Sequence, residues 1–585
     1  MTDLRPATHV VEVLRELVSR TPDSDAVLFV GDPGAADSVR TWSYAELDAH
    51  ARRIGAWLGE RFLPGERVLL PFEQGLDFAA AFFGCLYAGM TAVPVPVPGQ
   101  YRHQRERLTS IAKNAGVRAV LTDAASLPAV REWSDEQLGG AAVIAASDDE
   151  DFGDAGAWQL PDMDHDTLAL LQYTSGSTSE PKGVMISHGN LLHNISALHQ
   201  AFPIGPKGRH GGWIPTYHDM GLMGILLPGV LLGHSAVLMS PTTFIRRPHL
   251  WLQLVDTFDV TFSAAPNFAY DLCVSRITDA QCQGIDLSRW QYACSGSEPV
   301  RAATLRSFAE RFAPAGLRED AVVACYGLAE ATVFVSGTGR RAAPVRRVDA
   351  ELLERHEFRP LPAGATGRDL VGCGAVRELQ ARIVDPETRR ALPAGRVGEI
   401  WLRGPSVSSG YWQHEVATEA AFAGTTTDGD TGYLRTGDLG TLHEGELYIT
   451  GRIKETLIMR GRNLYPQDIE HELRDRHPAL GAAGAAFTVP LDDGEEALVV
   501  THEVRAGKAG DLAELTTAMR RTVAREFGVH AAGIVLLRPG AVRRTTSGKI
   551  QRTAMRQLFR TGGLAPQHAD CDPRLDARTP SGDNG

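Results

Sequence analysis

Residues 172–184 carry the sequence QYTSGSTSEPKGV, and this stretch organises the interpretation of the whole chain. The residues before it, 166–173 (DTLALLQY), are mostly apolar and predict a buried strand. Small hydroxyl residues and glycine then allow successive backbone N–H groups to point at one anion, with side-chain hydroxyls as further donors. Lys182 adds a positive charge at the rim. The stretch therefore predicts a polyphosphate site at the end of a strand.

A run of serine, threonine and glycine is also typical of a flexible surface loop, and composition alone favours that alternative. Two features weigh against it: the run follows a predicted buried strand, and Lys182 stands between Pro181 and Gly183. The string resembles the phosphate loop of the adenylate-forming superfamily, which includes acyl and aryl ligases, peptide-synthetase adenylation domains and luciferases. The resemblance implies contacts to ATP phosphates from Thr174, Ser175, Gly176, Ser177, Thr178 and Lys182.

The loop departs from the family pattern at Ser179, where glycine is usual. If this position requires a positive φ, serine costs on the order of 1 kcal/mol. Together with a second departure at Ser295, this departure leaves open a catalytically silent nucleotide-binding or scaffold protein, which would show no fatty-acid-dependent exchange between ATP and pyrophosphate.

Composition describes an ordinary globular protein of 585 residues, with 43% hydrophobic and 22% charged residues. The net charge of −12 argues against a nucleic-acid-binding protein. The seven cysteines form no CxxC pair, so they suggest neither a zinc site nor a disulfide framework, and they fit a reducing cytoplasm. Residues 1–17 predict an amphipathic helix and not a signal peptide.

Helical and strand patterns alternate along the N-terminal part, which predicts an α/β fold of helix-covered sheets. Ser43 and Glu46 form a capping-box pattern at the start of one helix. Residues 220–239 are long enough to span a bilayer, but Pro228, four glycines and His234 interrupt them. We therefore expect a buried helix, a break at residues 233–234 and a core strand at 236–239.

Two further motifs carry nucleotide chemistry. Residues 324–332 (ACYGLAEAT) offer Tyr326 for adenine stacking and place the Glu330 carboxylate in an apolar run. Glu330 could be a buried salt-bridge partner; the family match instead implies that it binds Mg²⁺ beside the ATP phosphates. In residues 433–439 (YLRTGDL), Asp438 suits both ribose hydroxyls, with Arg452 as a second ribose or phosphate contact.

Residues 292–300 (YACSGSEPV) resemble the adenine-binding segment of the superfamily. The fatty acyl-AMP ligase branch usually has asparagine where this chain has Ser295, which leaves the adenine contact at this position open. A close backbone approach through Gly296 is physically reasonable. The resemblance assigns further nucleotide contacts to Gly296, Ser297, Glu298, Gly327 and Thr332.

The branch itself is indicated by three segments. Residues 212–222 contain W-x-P-x-Y-H-D-M-G, which resembles the loop that borders the acyl channel in fatty acyl-AMP ligases and implies that His218 lies near the substrate carboxylate. A lone histidine is otherwise more often packed or solvated than catalytic. Residues 340–368 resemble the insertion that separates these enzymes from acyl-CoA ligases, and residues 460–470 (RGRNLYPQDIE) resemble a branch-specific signature.

Residues 544–552 (RTTSGKIQR) carry Lys549 but lack the upstream glycine of a P-loop. Lys549 could simply be a solvated residue in a glycine-hinged loop. Its position in the family implies instead the catalytic lysine that reaches the carboxylate and the α-phosphate. Arg552, Arg556 and Arg560 recur at every fourth position and predict a basic stripe suited to an acidic carrier protein.

The chain is thus identified as a member of the fatty acyl-AMP ligase branch. The resemblance implies a large N-terminal domain (1–453) of two helix-covered β-sheet subdomains plus a β-barrel-like unit, a hinged α+β C-terminal domain (454–565) and a disordered tail (566–585). It also implies ATP and Mg²⁺ as cofactors, a fatty acid substrate and transfer to a separate acyl carrier protein in lipopeptide or polyketide biosynthesis. An acyl-CoA ligase, which would turn over coenzyme A rapidly, remains the main alternative, and a peptide-synthetase adenylation domain fits the HDMG segment less well.

Overall fold

The computed structural model describes residues 4–576 apart from 101, 140–141, 150–151, 175–180, 460–461, 492–494, 506–509 and 546–547. Helices and strands alternate through the first 330 residues, as expected. The helices are α1 Val10–Arg20, α2 Tyr44–Gly59, α3 Leu76–Tyr87, α4 Arg102–Ala115, α5 Leu127–Leu138, α6 His188–Ala201, α7 Asp219–Gly221, α8 Leu227–Leu231, α9 Pro241–Arg246, α10 His249–Thr257, α11 Asn267–Arg276, α12 Asp279–Cys282, α13 Ala302–Phe312, α14 Ala350–Glu354, α15 Glu415–Phe422, α16 Pro466–Arg476, α17 Leu512–Phe527, α18 Arg552–Arg560 and α19 Pro573–Asp576.

The strands fall into six sheets. They are β1 Asp25–Val30, β2 Val39–Ser43, β3 Arg67–Pro71, β4 Thr91–Val95, β5 Ala119–Thr122, β6 Val143–Ala146, β7 Leu168–Thr174, β8 Lys182–Ser187, β9 Arg209–Gly212, β10 Ser235–Leu238, β11 Val260–Ala265, β12 Tyr292–Ser295, β13 Val322–Tyr326, β14 Ser336–Gly337, β15 Val345–Val348, β16 Arg368–Val371, β17 Ala375–Val376, β18 Gln380–Val384, β19 Gly398–Arg403, β20 Leu434–His443, β21 Glu446–Arg452, β22 Leu457–Met459, β23 Arg462–Leu464, β24 Leu480–Pro490, β25 Glu496–Val504, β26 Ala531–Leu537 and β27 Pro566–Cys571.

Two large sheets form the N-terminal part. The first has nine strands in the order β17-β14-β13-β12-β11-β9-β10-β1-β2, and the second has six in the order β6-β5-β3-β4-β7-β8. Most neighbours within each sheet are parallel, and both sheets share one hydrophobic core with the helices between them. This arrangement confirms the predicted pair of helix-covered sheets. It also places the carboxyl ends of the strands at edges where ligands usually bind.

The remaining strands form smaller units. The β-rich unit is a four-stranded antiparallel sheet, β18-β19-β20-β21, with the ribbon β15–β16 beside it. The last unit is the sheet β24-β25-β26-β27 with α16, α17 and α18 packed against it. Two hydrophobic clusters, separate from the large core, lie on its two faces. A smaller C-terminal α+β unit therefore accompanies the large N-terminal part.

Local sequence signals explain several of these boundaries. The Ser43 hydroxyl accepts the Glu46 N–H and the Glu46 carboxylate accepts the Ser43 N–H, which forms the predicted capping box at the start of α2. Residues 219–231 form a continuous helical segment that includes a π-helix at Leu222–Leu226. Gly233, with φ of +74°, ends this segment before β10, as predicted. Within the described residues, no helix has the length and apolarity needed to cross a membrane.

The tail from 566 was expected to be disordered, and this is wrong for its first part. Residues Pro566–Cys571 form β27, which pairs with β26 in antiparallel register, and Pro573–Asp576 form α19. Arg520 fixes the strand by ion pairing with the Asp570 carboxylate. Composition does not reveal this strand, because β27 lies at the edge of the sheet. Its backbone forms hydrogen bonds with β26, while its polar side chains remain largely exposed. Residues 577–585 lie outside the described part of the chain.

The segment predicted as an insertion contacts the C-terminal unit. Asp349 caps α14, and the Glu354 carboxylate at the end of this helix accepts two hydrogen bonds from the Arg462 guanidinium, at 2.6 and 2.9 Å. The Glu354 carbonyl also accepts the Asn463 amide at 2.9 Å. Arg368 pairs with Asp468 at 2.7 Å. These contacts join the insertion to the residues of the RGRN signature and to the start of α16.

Buried histidines make the N-terminal core sensitive to acid. His210 is fully buried and neither of its ring nitrogens has a hydrogen-bond partner, while burial lowers the pKa of His234 from 6.5 to about 4 and that of His188 to about 3. Above pH 6.5 these groups are neutral in both states. Below it, the unfolded chain binds protons that the folded chain excludes, so the free energy of unfolding falls by about 1.4 kcal/mol per pH unit for each group.

We therefore expect the Tm to decrease steadily between pH 6.5 and pH 4, the range that the shifted pKa of His234 defines. His210→Leu should reduce this dependence, measured by calorimetry, because one protonation site of the unfolded chain is removed. His530→Leu, at an exposed histidine, is the control and should leave the profile as in the wild type. An identical pH profile for the His210 variant would contradict the assignment.

Candidate active site

The segment predicted as a phosphate loop follows the carboxyl end of β7. Thr174 closes this strand and pairs with Lys182, the first residue of the antiparallel strand β8. The Thr174 carbonyl accepts the Arg107 guanidinium at 3.3 Å. The predicted contacts Ser175, Gly176, Ser177 and Thr178, and the departure at Ser179, lie outside the described residues. The structure describes the two antiparallel strands that flank this segment, β7, which ends at Thr174, and β8, which begins at Lys182.

Glu330 lies next to this hairpin, on the short 3-10 helix Ala329–Ala331. Its carboxylate Oε1 accepts the Tyr411 hydroxyl at 2.8 Å, and the Lys182 ammonium lies 5.0 Å from the centroid of the same tyrosine ring. Glu330 is half-buried and has no ion-pair partner within 4 Å in the described part of the chain. The buried salt bridge considered as an alternative is therefore not formed.

The surroundings of Glu330 fit a divalent cation of the hard type. A half-buried carboxylate with one unengaged oxygen is the ligand that Mg²⁺ prefers, and Mg²⁺ is usually held by one or two carboxylates together with substrate phosphates. Among the described residues there is no group of three or more metal-ligating side chains that could form an all-protein cage. The arrangement therefore suits a metal that arrives with a nucleotide.

A second carboxylate, Asp438, is held by two donors. The Tyr326 hydroxyl donates to Oδ2 at 2.7 Å, and Arg452 Nε donates to Oδ1 at 2.6 Å. Asp438 and Arg452 face each other across the antiparallel pair β20–β21, which explains the spacing of the two motifs. Burial raises the pKa of Tyr326, and the Asp438 charge adds to the increase. Tyr326 therefore remains a protonated donor, and Asp438 an oriented acceptor for vicinal hydroxyls.

The predicted adenine segment follows β12. A Cβ at Gly296 would overlap the Cys325 sulfur, and a Cβ at Gly327 would overlap the Val333 carbonyl, so both positions require glycine. Ser297 adopts a left-handed conformation with φ of +73°, which is uncommon for serine and typical of constrained functional loops.

Asn267 stands beside Ser295, the position where the branch usually has asparagine. The Ser295 hydroxyl donates to Asn267 Oδ1 at 3.3 Å, and this oxygen also accepts the Arg301 N–H at 3.1 Å. The Asn267 amide donates to the Pro299 carbonyl at 2.8 Å. Asn267 therefore stabilises the turn at residues 295–301. Its side-chain amide lies next to Ser295, the position at which the branch usually has an asparagine.

Lys549 reaches into the same region from the C-terminal unit. Its backbone N–H donates to Thr545 Oγ1 at 3.0 Å, and its carbonyl accepts the Thr545 N–H at 2.8 Å, which closes a tight turn. A Cβ at Gly548 would overlap the Phe268 ring, so the turn lies directly against the N-terminal part. Burial lowers the pKa of the Lys549 ammonium, while the nearby carboxylates of Asp219, Glu298 and Asp438 oppose that decrease.

Asp219 and Glu298 are two carboxylates whose charges favour the charged form of Lys549. Burial alone would raise the pKa of Asp219, but His218 and Lys549 hold it at about 2. His218 Nδ1 lies 2.7 Å from Asp219 Oδ1. Burial raises the pKa of Glu298, against the opposing effect of Lys549. His218, at the start of the short helix α7, therefore contacts Asp219, whose carboxylate in turn interacts with the charge of Lys549.

Two expectations need correction. Thr332 is only 1% exposed and its hydroxyl donates to the Ser406 carbonyl at 2.7 Å, so this side chain ties two loops together and does not face the nucleotide contacts. Arg552 does not belong to an exposed stripe, because its guanidinium pairs with Glu470 at 2.7 Å and Glu455 at 2.5 Å. Arg556 and Arg560 remain exposed.

Three residues of the site were not assigned a role from the sequence. Asp219 was noted only as part of the HDMG loop, and Asn267 only as part of PNFAY. Tyr411, in the string GYW, was not considered. Adjacency to His218 could have identified Asp219. No local signal could have identified Tyr411, because its partner Glu330 is 81 residues away.

The sequence and the fold agree with known proteins. Residues 14–412 match the family described as AMP-binding enzyme. The chain is 41% identical over 539 residues to the medium-chain-fatty-acid–[acyl-carrier-protein] ligase JamA of Moorena producens, covering 90% of this chain and 91% of JamA. It is 39% identical over 577 residues to the long-chain-fatty-acid–AMP ligase FadD26 of Mycobacterium bovis, covering 95% and 98%.

A solved structure extends this similarity to three dimensions. The fatty acyl-adenylate ligase from L. pneumophila, in complex with acyl adenylate and pyrophosphate, matches with a TM-score of 0.76 at 35% identity, covering 98% of this chain and 99% of that one. Relatives well above 30% identity thus cover nearly the whole chain. The protein belongs to the AMP-binding enzymes and, among them, to the fatty acyl-AMP ligases.

Proposed function

We propose that this protein joins a fatty acid to AMP, with release of pyrophosphate, and then passes the acyl group to the phosphopantetheine thiol of a separate acyl carrier protein, with release of AMP. The observation that carries the proposal is the packing of the Lys549 turn against Phe268 of the N-terminal part, where the charges of Asp219, Glu298 and Asp438 oppose the effect of burial on the pKa of the lysine. The relative JamA is a fatty-acid–[acyl-carrier-protein] ligase, which supports the carrier as acceptor.

The chemistry is governed by charge. A carboxylate oxygen of the fatty acid attacks the α-phosphorus of ATP, a P–O bond forms, and the bond to the pyrophosphate oxygen breaks. Both reactants are anions, so the protein must supply positive charge where they meet. Lys549 is the cation next to the attacking carboxylate, and Lys182, with the hairpin of β7 and β8, is the cation on the side of the leaving group. Asp438 holds the ribose and Tyr326 contacts the nucleoside, so that the reactants meet already oriented.

Glu330 is the residue that would hold Mg²⁺. When bound, this ion neutralises charge on the phosphates and on the departing pyrophosphate. Glu330 contributes an oriented carboxylate, of which Tyr411 engages one oxygen. The free cysteines of the chain, seven in number, support a reducing compartment such as the cytoplasm as the place of the reaction.

We also propose that residues 454–565, together with the strand β27, act as a mobile domain with its hinge near Lys454. The separate hydrophobic clusters of this unit support the proposal. Lys549 is needed in the cleft for adenylation only, so a rotation about the hinge would remove it and admit the thiol. The hydrogen bonds between Glu354 and Arg462 hold the two parts together in the present arrangement.

The function is tested by measuring pyrophosphate release across a panel of fatty acids, followed by mass spectrometry of candidate carrier proteins. We expect release that depends on a fatty acid, and acylation of a carrier at its phosphopantetheine arm. Coenzyme A in place of the carrier is the control and should be a poor acceptor. Rapid turnover of coenzyme A would show that the protein is an acyl-CoA ligase instead.

Lys549→Ala should lower the rate of acyl-adenylate formation by ~10²–10³-fold, because one cation that stabilises the transition state is lost. ATP binding and Tm should remain close to wild type, since the lysine turn lies at the surface of its unit. Lys207→Ala, at an exposed lysine away from the cleft, is the matched control. A near-wild-type rate of pyrophosphate release from the Lys549 variant would refute the role.

Glu354→Ala should loosen the C-terminal domain, because the bidentate pairing with Arg462 is lost. We expect trypsin to cut the hinge, at Arg452 or Lys454, several times faster than in the wild type. Asp369→Ala breaks a comparable bidentate pair with Arg347, which lies across the ribbon β15–β16 and does not reach the C-terminal unit. Equal cleavage rates for both variants would argue against the insertion as the restraint.

A further inference from the structure

Tyr411 lies between two residues of the proposed phosphate and metal site. Its hydroxyl donates to Glu330 Oε1 at 2.8 Å, and its ring centroid lies 5.0 Å from the Lys182 ammonium. The tyrosine comes from the β-rich unit, between β19 and α15, whereas its two partners belong to the two large sheets. One side chain therefore connects three separate parts of the N-terminal domain.

The position of this tyrosine is fixed by its backbone. The Met185 N–H donates to the Gly410 carbonyl at 2.9 Å, and the Trp412 N–H donates to the Gly183 carbonyl at 2.8 Å. These two bonds flank Tyr411 and form an antiparallel bridge between it and Val184 of β8. The strand that carries Lys182 and the segment that carries Tyr411 therefore cannot move independently.

Further contacts hold the side chain and its acceptor. The ring of Phe422 packs edge-on against the Tyr411 ring at 5.2 Å, and the Tyr411 N–H donates to Thr418 Oγ1 at 2.9 Å. The Glu330 carbonyl accepts the Ser408 N–H at 2.9 Å, from the same segment. Both ends of the hydrogen bond between tyrosine and glutamate are thus anchored by independent interactions.

This geometry has two physical consequences. A carboxylate on a short helical turn can rotate about its side-chain bonds, and a hydrogen bond to one oxygen restricts that rotation and leaves the other oxygen for a cation. An ammonium over an aromatic face is attracted by the ring quadrupole, which restricts the long side chain of Lys182. The same ring thereby sets the distance between a metal ligand and a phosphate-binding cation.

We propose that Tyr411 is a positioning residue for adenylation, whose hydroxyl orients Glu330 toward the metal and whose ring orients Lys182 toward the phosphates. The inference rests on the proposed function, in which Glu330 holds Mg²⁺ and Lys182 contacts the phosphates of ATP. Tyr411 touches neither the reacting atoms nor the substrate. Its effect is transmitted through the two residues that do.

Two variants distinguish the contribution of the Tyr411 hydroxyl from that of its ring. Tyr411→Phe keeps the ring and removes the hydroxyl, and Tyr411→Leu removes both. Tyr433→Phe is the matched control, because Tyr433 is also a buried tyrosine of the β-rich unit that donates to a carboxylate, Asp430 Oδ2 at 2.8 Å, but it has no contact with Glu330 or Lys182. Thermal unfolding of all three variants shows whether they retain the fold.

The readout is binding of Mn²⁺ to the protein in the presence of α,β-methylene-ATP, which cannot react, measured by electron paramagnetic resonance without fatty acid. For Tyr411→Phe we expect the Mn²⁺ dissociation constant to increase about tenfold, with nucleotide binding in EDTA unchanged. Tyr411→Leu should also weaken nucleotide binding in EDTA several-fold, because Lys182 loses its support. In pyrophosphate-release assays, saturating Mg²⁺ should restore most of the Tyr411→Phe rate.

Each other outcome overturns a stated part. If Tyr411→Phe bound Mn²⁺ with wild-type affinity, the hydroxyl would have no role in orienting Glu330 toward the metal. A loss that Mg²⁺ does not rescue, accompanied by a lowered Tm, would make the tyrosine a packing residue only. If Tyr411→Leu and Tyr411→Phe bound nucleotide equally well, the ring would have no role in orienting Lys182 toward the phosphates. Absence of fatty-acid-dependent pyrophosphate release from the wild-type protein would overturn the proposed function itself, which distinguishes the two failures.

Discussion

The electrostatic environment of one ammonium group is the constraint on which the rest of the site depends. Lys549 is partly withdrawn from water, which disfavours its charge, as does the Arg452 guanidinium, while the charges of three carboxylates favour it. The balance keeps a cation at a place where two anionic reactants have to meet. Those carboxylates come from the HDMG loop and the turn after β12, both of which follow strands of the nine-stranded sheet, and from β20. The electrostatics of the lysine therefore depend on the nine-stranded sheet and on the β-rich unit.

The architecture explains how distant segments reach this point. Parallel strands bring their carboxyl ends to one edge of a sheet, so the turns after β12 and β13 lie side by side in the nine-stranded sheet. The hairpin of β7 and β8 belongs to the six-stranded sheet, and Tyr411 links it to Glu330 after β13. The antiparallel pair β20–β21 adds Asp438 and Arg452 from the side. Backbone hydrogen bonds hold the strands of each sheet together. Side chains such as Asn267 and Tyr411 form hydrogen bonds that join segments which the sheets do not connect.

Local patterns in the sequence were sufficient for most of the architecture. The capping box at Ser43, the break at Gly233 and the alternation of helices and strands all depend on neighbours within a few residues, and the structure confirms them. The site motifs were found because a resemblance supplied their roles. The errors have a common cause: the strand at 566–571, the buried pairs of Arg552 and the contact of Thr332 with Ser406 all depend on partners remote in sequence. Periodicity and composition carry no information on such partners.

The strand β27 has a consequence for any shortened or extended version of this protein. It covers the outer edge of β26, a strand whose residues are all buried. A chain ending at residue 565 would present that long apolar strand with unpaired N–H and C=O groups, which is a template for pairing with a second molecule. Solubility tags and fusion partners are therefore better attached beyond residue 576 than in place of the polar tail, although the composition of that tail suggests that it could be discarded.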